Sequence, residues 1–289
     1  MKNCFRAGII KVARAITTVA IVTLTTLMAP LSYADNKTYS FAVVPQQSAK
    51  QLAKLWTPVF KYIHEKSAIK LQFKTAKNIP EFEKNLAAGE YDFAYMNPYH
   101  FTVFNNDPGY KALAVRKDQP IRGIIVVRKD SPVNSLKQLS GQTLAFPSPA
   151  AFAASVLPRA KLSNDNIIFT PKYVSSHDSV YLNVARGILP AGGGVKRTFN
   201  NAPPKVKDQL KILWTTNAYT PHAIAAHPKI DKKTYTSIQQ AFAKMYNDPK
   251  GKELLKSLKI KKGLIKAKDS DWDDVRGLGL ELLDKLIKQ

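Results

Sequence analysis

The chain has 289 residues, with 44 Lys and Arg against 21 Asp and Glu, a formal net charge of +23. A field of that sign favours anionic small molecules, anionic surfaces or nucleic acid. The lysines are scattered over most segments and no zinc or RNA-binding signature goes with them, which argues against nucleic acid. The single cysteine, Cys4, excludes disulfides and thiol chemistry from the rest of the chain.

Lys2, Arg6, Lys11 and Arg14 form a basic start with no acidic residue, and residues 15–28 follow as an apolar run. That run is shorter than the ~20 apolar residues of a spanning helix. Ser32-Tyr33-Ala34 then fits a small-x-small cleavage site. The expectation is an export signal over residues 1–34 and a mature chain from Asp35, with an uncleaved membrane anchor as the alternative. Cys4 precedes the apolar run, so it does not suit lipid attachment, and a periplasmic location is expected. About 255 residues remain, with a net charge of about +19, enough for one large domain or two moderate ones.

Residues 39–44 read as a first strand, ending in the polar turn Pro45-Gln46-Gln47-Ser48, where Ser48 can cap a helix. Leu52, Leu55, Trp56, Val59, Phe60 and Ile63 recur at helical spacing, with Pro58 expected to kink that helix. A strand over 71–73 and a helix over 79–88, closed by Gly89, come next. Then comes GEYDFAYMNPYH, residues 89–100, around which the first half is organised. Residues 93–96 are an apolar, aromatic run that reads as a buried strand. It stops at Asn97-Pro98, and Pro98 suits the first turn of a helix. Tyr95, Asn97, Tyr99 and His100 therefore cluster where a strand gives way to a helix. In open α/β sheets ligands bind at such strand ends. The alternative is aromatics packed in a core beneath an Asn97 cap.

Residues 112–115 and 122–128 are two further strands, separated by Lys117-Asp118-Gln119-Pro120. This short link reads as a crossing into a second domain. A capped turn over 135–141 and a strand over 143–146 follow. Ser148-Pro149-Ala150-Ala151-Phe152 then reads as the N-terminus of a helix running to Leu157, whose free N–H groups and positive dipole end suit an anion. After a strand over 167–170, Ser176-His177-Asp178-Ser179 starts another helix, with His177 either facing a cleft or exposed at the surface. Ala191-Gly192-Gly193-Gly194 lacks the spacing and lysine of a phosphate-binding loop and reads as a flexible turn, followed by Arg197. Strands over 210–214 and 222–226 flank a polar connector over 215–221, the return crossing. The rest reads as helical, ending over 278–287. A chain that leaves one domain, builds a second and returns suits a hinge.

The tail NDPKGKELLKSLKIKKGLIKAKDSDWDDVRGL, residues 247–278, carries an Ala-x-Asp-Ser-Asp-aromatic-Asp-x-Val-Arg pattern at 267–276. With YDFAYMNPYH and ILWTTNAYTPHAIAAHP, it resembles the phosphate/phosphite/phosphonate-type substrate-binding proteins of ABC transporters. The resemblance covers nearly the whole mature chain. It implies an α/β, two-lobe type 2 periplasmic-binding-protein fold with a two-crossing hinge, the first lobe being residues 35–118 with 221–289 and the second 119–220. It implies capture of a small anionic solute, a phosphonate, phosphite, phosphate or related oxyanion, for an ABC permease, by a monomer with no cofactor, no metal and no catalysis. The alternative output is a periplasmic sensor that passes its bound state to a membrane signalling protein. The expected ligand contacts are Tyr95, Asn97, Tyr99 and His100 from the first lobe, with Gln46 and Gln47 after the first strand. From the second lobe they are Ser148, Ala150 and Ala151 through backbone donors, with Phe152, His177 and Arg197. Two departures stand out. Ser148-Pro149-Ala150-Ala151-Phe152 replaces the Ser-Thr-Ser-Gly type of sequence, and ILPAGGG replaces a Gly-x-x-Asp-Ala-Ala pattern. Hydroxyl donors and an acid for a ligand amine are thus absent from those places, while Phe152 either stacks on a ligand or fills the space of a smaller one. A secreted hydrolase is disfavoured: no Gly-x-Ser-x-Gly elbow and no His-Glu-x-x-His pair is present. The aspartates at 269, 271, 273 and 274 lack the glycine and terminal glutamate of an EF-hand.

Overall fold

The structure, a computed structural model, describes residues 37–280 and 283. The expected signal over 1–34 and most of the closing helix expected over 278–287 lie outside the described residues.

Strand β1 (Thr38–Val43) leads into helix α1 (Ala49–Ser67), which Ser48 caps by accepting from the Gln51 N–H, and which continues through Pro58. Strand β2 (Lys70–Lys74), helix α2 (Ile79–Ala87), strand β3 (Phe93–Met96), helix α3 (Pro98–Asn106) and strand β4 (Lys111–Arg116) follow. The chain then enters β5 (Gly123–Arg128) and β6 (Gln142–Phe146), a π-helical turn (Phe152–Val156) continuing as α4 (Leu157–Asn164), and β7 (Phe169–Tyr173). Helix α5 (His177–Ala185), β8 (Ala191–Val195), the short helices α6 (Lys196–Asn200) and α7 (Pro204–Lys207), and β9 (Leu210–Thr215) complete this part. It returns as β10 (Ala223–Ala226), α8 (Lys232–Lys244), α9 (Pro249–Ser257), β11 (Leu264–Lys266) and α10 (Asp273–Arg276).

These strands form two sheets, ordered β11-β4-β10-β3-β1-β2 and β7-β6-β8-β5-β9. In the first, β1 is parallel to β2 and β3, while β10 runs antiparallel between β3 and β4. Phe41 anchors its core against Trp56, Phe60, Phe93 and Phe242. The second sheet is buried on both faces. Successive β-strand side chains point to opposite sides, so Ile124 and Val126 join one apolar cluster while Ile125 and Val127 join another. The chain passes between the sheets twice, and the two passages are paired: Ile121 N–H donates to Tyr219 O (2.8 Å) and Tyr219 N–H to Ile121 O (3.1 Å). The aspartate-rich tail holds the return passage. Trp272 Nε1 donates to Pro221 O (2.7 Å), and Asp274 Oδ2 accepts from the Thr220 N–H (2.7 Å). Among the described residues no helix is long and apolar enough to cross a membrane.

Four expectations need correction. Residues 191–195 are not a flexible turn but β8, a fully buried strand between β6 and β5. Glycine is required there because neighbouring elements lie directly on the strand. A Cβ on Gly193 would sit 1.9 Å from Ala154 O, and one on Gly194 2.3 Å from the Tyr181 hydroxyl. The helix expected from Ser148 to Leu157 starts instead at Phe152 with a π-helical turn and ends at Asn164. The strand expected over 167–170 is β7, two residues later at the sheet's edge, with mostly exposed residues. The tail is not all helical, since β11 pairs antiparallel with β4.

Candidate ligand-binding seam

The end of β3 builds one side of the seam. Phe93–Met96 is fully buried, Pro98 opens α3, and Asn97 caps it by accepting from the His100 N–H (2.8 Å). The same Asn97 side chain reaches across, its Nδ2 donating to Ala150 O (3.4 Å) beside the second sheet. Gln46, just past β1, makes two further cross-links. Its carbonyl accepts from the His177 N–H (2.9 Å) and its Oε1 from Arg197 Nη2 (2.6 Å). Next to it, the Ser48 N–H donates to Asp178 Oδ2 (3.0 Å), and Gln47 lies beside the same carboxyl. Burial pushes the Asp178 carboxyl up, against the Ser48 bond and the neighbouring Gln47 amide.

Asp178 keeps one carboxylate at the seam, its Oδ1 buried without a hydrogen-bond partner among the described residues; deeper in, around Tyr95, the charged groups are arginines. The Arg197 guanidinium stands 5.9 Å from the centre of the Tyr95 ring, and Tyr95 stacks on His222 with ring centres 4.9 Å apart. Arg116, at the end of β4, is buried, and burial brings its guanidinium down to about 10, with the nearby Arg197 charge adding. Neither Arg116 nor Arg197 is in an ion pair among the described residues, and the Nε of each is buried without a hydrogen-bond partner. Ser148 Oγ and both ring nitrogens of His222 are likewise unpartnered. Gln46, Asn97, Phe152, His177 and His222 line a gap that no Asp or Glu lines, with a volume of about 10 Å³, about the space of one water. Buried hydrogen-bond donors and cations without acceptors favour an anion and disfavour a cation or an amine.

Comparison with known proteins agrees with this chemistry. The family described as "ABC transporter, phosphonate, periplasmic substrate-binding protein" matches residues 41–272. The chain belongs to this family. It is therefore a periplasmic substrate-binding protein of the phosphonate ABC-transporter type, with the type 2 periplasmic-binding-protein fold expected from sequence. A curated relative, the "Phosphate-import protein PhnD" of Mycolicibacterium smegmatis, is 22% identical over 244 residues, 73% of each chain. PhnD1 of Prochlorococcus marinus, solved in complex with methylphosphonate, superimposes with a TM-score of 0.77 at 18% identity, over 84% of this chain and 97% of that one. A binding protein of an ABC phosphonate transporter from Pseudomonas aeruginosa gives a TM-score of 0.78 at 15% identity, over 85% and 86%.

Within this family member, the residues expected at the site fall into two groups. Gln46, Asn97, Ala151, Phe152 and His177 line the gap, and Tyr95, Ala150 and Arg197 adjoin it. Ser148 is buried just before the π-helical turn, and Gln47 faces Asp178. Tyr99 and His100 turn away. The Tyr99 hydroxyl donates to Leu280 O (3.2 Å) and accepts from the Leu283 N–H (3.1 Å). His100 Nε2 lies 2.9 Å from Glu83 Oε1, with Phe82 and Phe104 beside the ring. Asn97 is the N-cap, with extended backbone, and its side chain folds over the helix start, whereas Tyr99 and His100 are already helical and their side chains run to Leu280 and Glu83. The backbone donors shift as well. Ala150 presents a carbonyl to Asn97, and Ala151 is the N-cap, accepting from Ser155 N–H (2.7 Å) and Val156 N–H (3.3 Å). The N–H groups that a helix start leaves without intrahelical acceptors therefore belong to residues 152–154. Sequence reasoning missed Arg116 and His222. Arg116 had one signal, a cation at the last position of an apolar strand, ALAVR.

The buried histidines give the protein an acid limit. Burial, with Arg197 adding, holds His177 down to about 3, while its Nδ1 lies 3.0 Å from Thr198 Oγ1. His222 is lowered well below its ordinary value by the same causes in the same order, with Arg116 next. The folded state refuses protons that the unfolded chain accepts below about 6.5. Stability is thus fully present above that pH and falls as pH drops from there toward 3. Urea melts at pH 7, 6 and 5 should show a falling midpoint, with a shallower fall in His177→Gln. Identical pH slopes in the two proteins would contradict a neutral, buried His177.

Proposed function

We propose that this protein binds one small phosphorus oxyanion, a phosphonate, phosphite or phosphate, in the seam between its two sheets and presents it to the permease of an ABC importer. The observation that carries the reading is Arg197. Its guanidinium is half-buried, has no carboxylate partner among the described residues, is steadied by Gln46 Oε1 and stands over Tyr95. An oxyanion there would accept a charge-assisted bond from Arg197, with Gln46, Asn97, His177 and the N–H groups of residues 152–154 as further donors. Ser148 Oγ is a buried hydroxyl still without a partner. The names of the relatives from M. smegmatis and P. marinus, for phosphate import and with bound methylphosphonate, support the same ligand class. The lining without carboxylates supports a ligand with no amine.

A gap of about 10 Å³ does not admit a phosphonate, so entry requires the two halves to part. The proposed halves are residues 35–118 with 221–289 and residues 119–220, turning about the paired passages at Ile121 and Tyr219. Residues 1–34 would be the export signal. The protein would bind and release its ligand unchanged, without catalysis. Calorimetry of residues 35–289 with phosphate, phosphite, methylphosphonate and an aminoalkylphosphonate tests this. Saturable heat is expected with at least one of the first three and a weaker response with the amine. No heat and no thermal shift with any of them would remove the proposal.

A further inference from the structure

We propose that Arg116 and His222 form a second, inner contact for the ligand's anionic head, so that the head sits between two guanidiniums, Arg197 and Arg116, and binds as a dianion. This rests on the seam being the ligand site. Three adjacent strands place the groups side by side. Ala223 pairs with Met96 at the end of β3, and Ile224 pairs with Ala114 two residues before the end of β4. His222, one residue before β10, therefore lies between the ends of β3 and β4, beside Tyr95 on one flank and Arg116 on the other. Its ring stacks on Tyr95 at an interplanar angle of 20°, leaving the ring edge with both nitrogens unpartnered. Arg116 is 6% exposed, and its Nε is unpartnered too.

Such an arrangement needs an explanation. A buried charge is ordinarily paired, and buried polar atoms are ordinarily bonded. Here the charged and titratable groups facing His222 are Arg197 from α6, Arg116 from β4, His177 from α5, His100 from α3 and Tyr95 from β3; none is an acid. A structural role for Arg116 would call for carboxylate or carbonyl acceptors; among the described residues its Nε has none, and the nearest charge is a second arginine. A doubly charged ligand head resolves both problems at once. It accepts from the two guanidiniums and compensates the cations that keep His222 neutral, so His222 takes up a proton as the ligand binds and donates it back as a hydrogen bond.

The test is calorimetry of residues 35–289 with phosphate and methylphosphonate at a mildly alkaline pH where both free ligands are already dianions, so that any proton taken up goes to the protein, in buffers of different ionisation enthalpy. Wild type is compared with Arg116→Met, Arg116→Lys and His222→Phe. Arg116→Met should weaken binding at least tenfold with a thermal midpoint equal to or above wild type, and Arg116→Lys should fall between. His222→Phe, which keeps the stacking on Tyr95, should lose most of the buffer-dependent heat. Wild-type affinity in Arg116→Met, or unchanged proton uptake in His222→Phe, overturns the inner contact while leaving the seam in place. Failure of both Arg116 variants to fold overturns it as well, because the guanidinium is then structural. Absence of binding by wild type is a different result, the failure of the seam itself.

Discussion

Arg197→Met should leave the fold intact and lower oxyanion affinity by two orders of magnitude or more. A hydrogen bond to a charged group contributes about 1.5–3 kcal/mol, and truncating one partner of a desolvated charge pair costs about 2–5 kcal/mol. At about 1.4 kcal/mol per tenfold, two guanidinium bonds to one phosphoryl group put the loss near a hundredfold to several thousandfold. Stability should move little. Among the described residues Arg197 is in no ion pair and its side chain bonds Gln46, and methionine keeps an apolar stem against Tyr95. Arg197→Lys keeps the charge without the planar fork and should bind with intermediate affinity. Arg197 also presses on both buried histidines, so its removal should let them accept protons at higher pH and flatten the acid loss of stability. Calorimetry of the three proteins, with urea melts at pH 7 and 5, checks both halves. Wild-type affinity in Arg197→Met would mean that the ligand lies elsewhere.

The relation between sequence and site explains why that residue was visible and others were not. Local chemistry was legible. Ser48, Asn97 and Ser176 cap the helices that their side chains announce, because an N-cap is decided within four residues. The stop at Asn97-Pro98 placed a strand end at the seam for the same reason. What failed needed either phase or partners. Tyr99 and His100 were grouped with Tyr95 and Asn97 by proximity along the chain, whereas their partners, Leu280 and Glu83, lie on other elements that no local pattern brings beside them. The helix expected to open at Ser148 opens at Phe152, because Ala151 rather than Ser148 accepts the first turn's bonds. Arg116 and His222 are over a hundred residues apart and meet only because β10 inserts between β3 and β4. Nothing local signals that pairing. The family resemblance correctly supplied the fold, yet Arg116 and His222, beside the seam, came from the tertiary structure alone.

Gly193→Ala should be strongly destabilising, although alanine is ordinarily better than glycine inside a strand by about 0.5–1 kcal/mol. The sign reverses because β8 is the floor on which the π-helical turn rests. A Cβ on Gly193 would lie 1.9 Å from Ala154 O and 2.8 Å from the Phe146 ring, and one on Gly123 of β5 would lie 1.8 Å from Ala153 O. Two backbone carbonyls of the turn thus press on neighbouring strands, and neither can yield as a flexible side chain does. Overpacking a core costs about 1–3 kcal/mol and occasionally more; contact with backbone puts Gly193→Ala at or beyond the upper end. The same clash reaches the proposed ligand site. Relief of it lifts residues 152–156, which carry Phe152 and the unbonded N–H groups, away from Gln46 and Asn97. Affinity should therefore fall together with stability, although Gly193 touches neither Arg197 nor His222. Gly141→Ala is the control, with a left-handed φ of +78° but nothing within 4 Å of the added carbon. It should cost only the conformational penalty of about 1–2 kcal/mol and leave binding unchanged. Urea melts with calorimetry at matched pH decide the matter. A Gly193→Ala protein as stable as wild type would show that the turn does not sit on β8, and that the seam is not built as described.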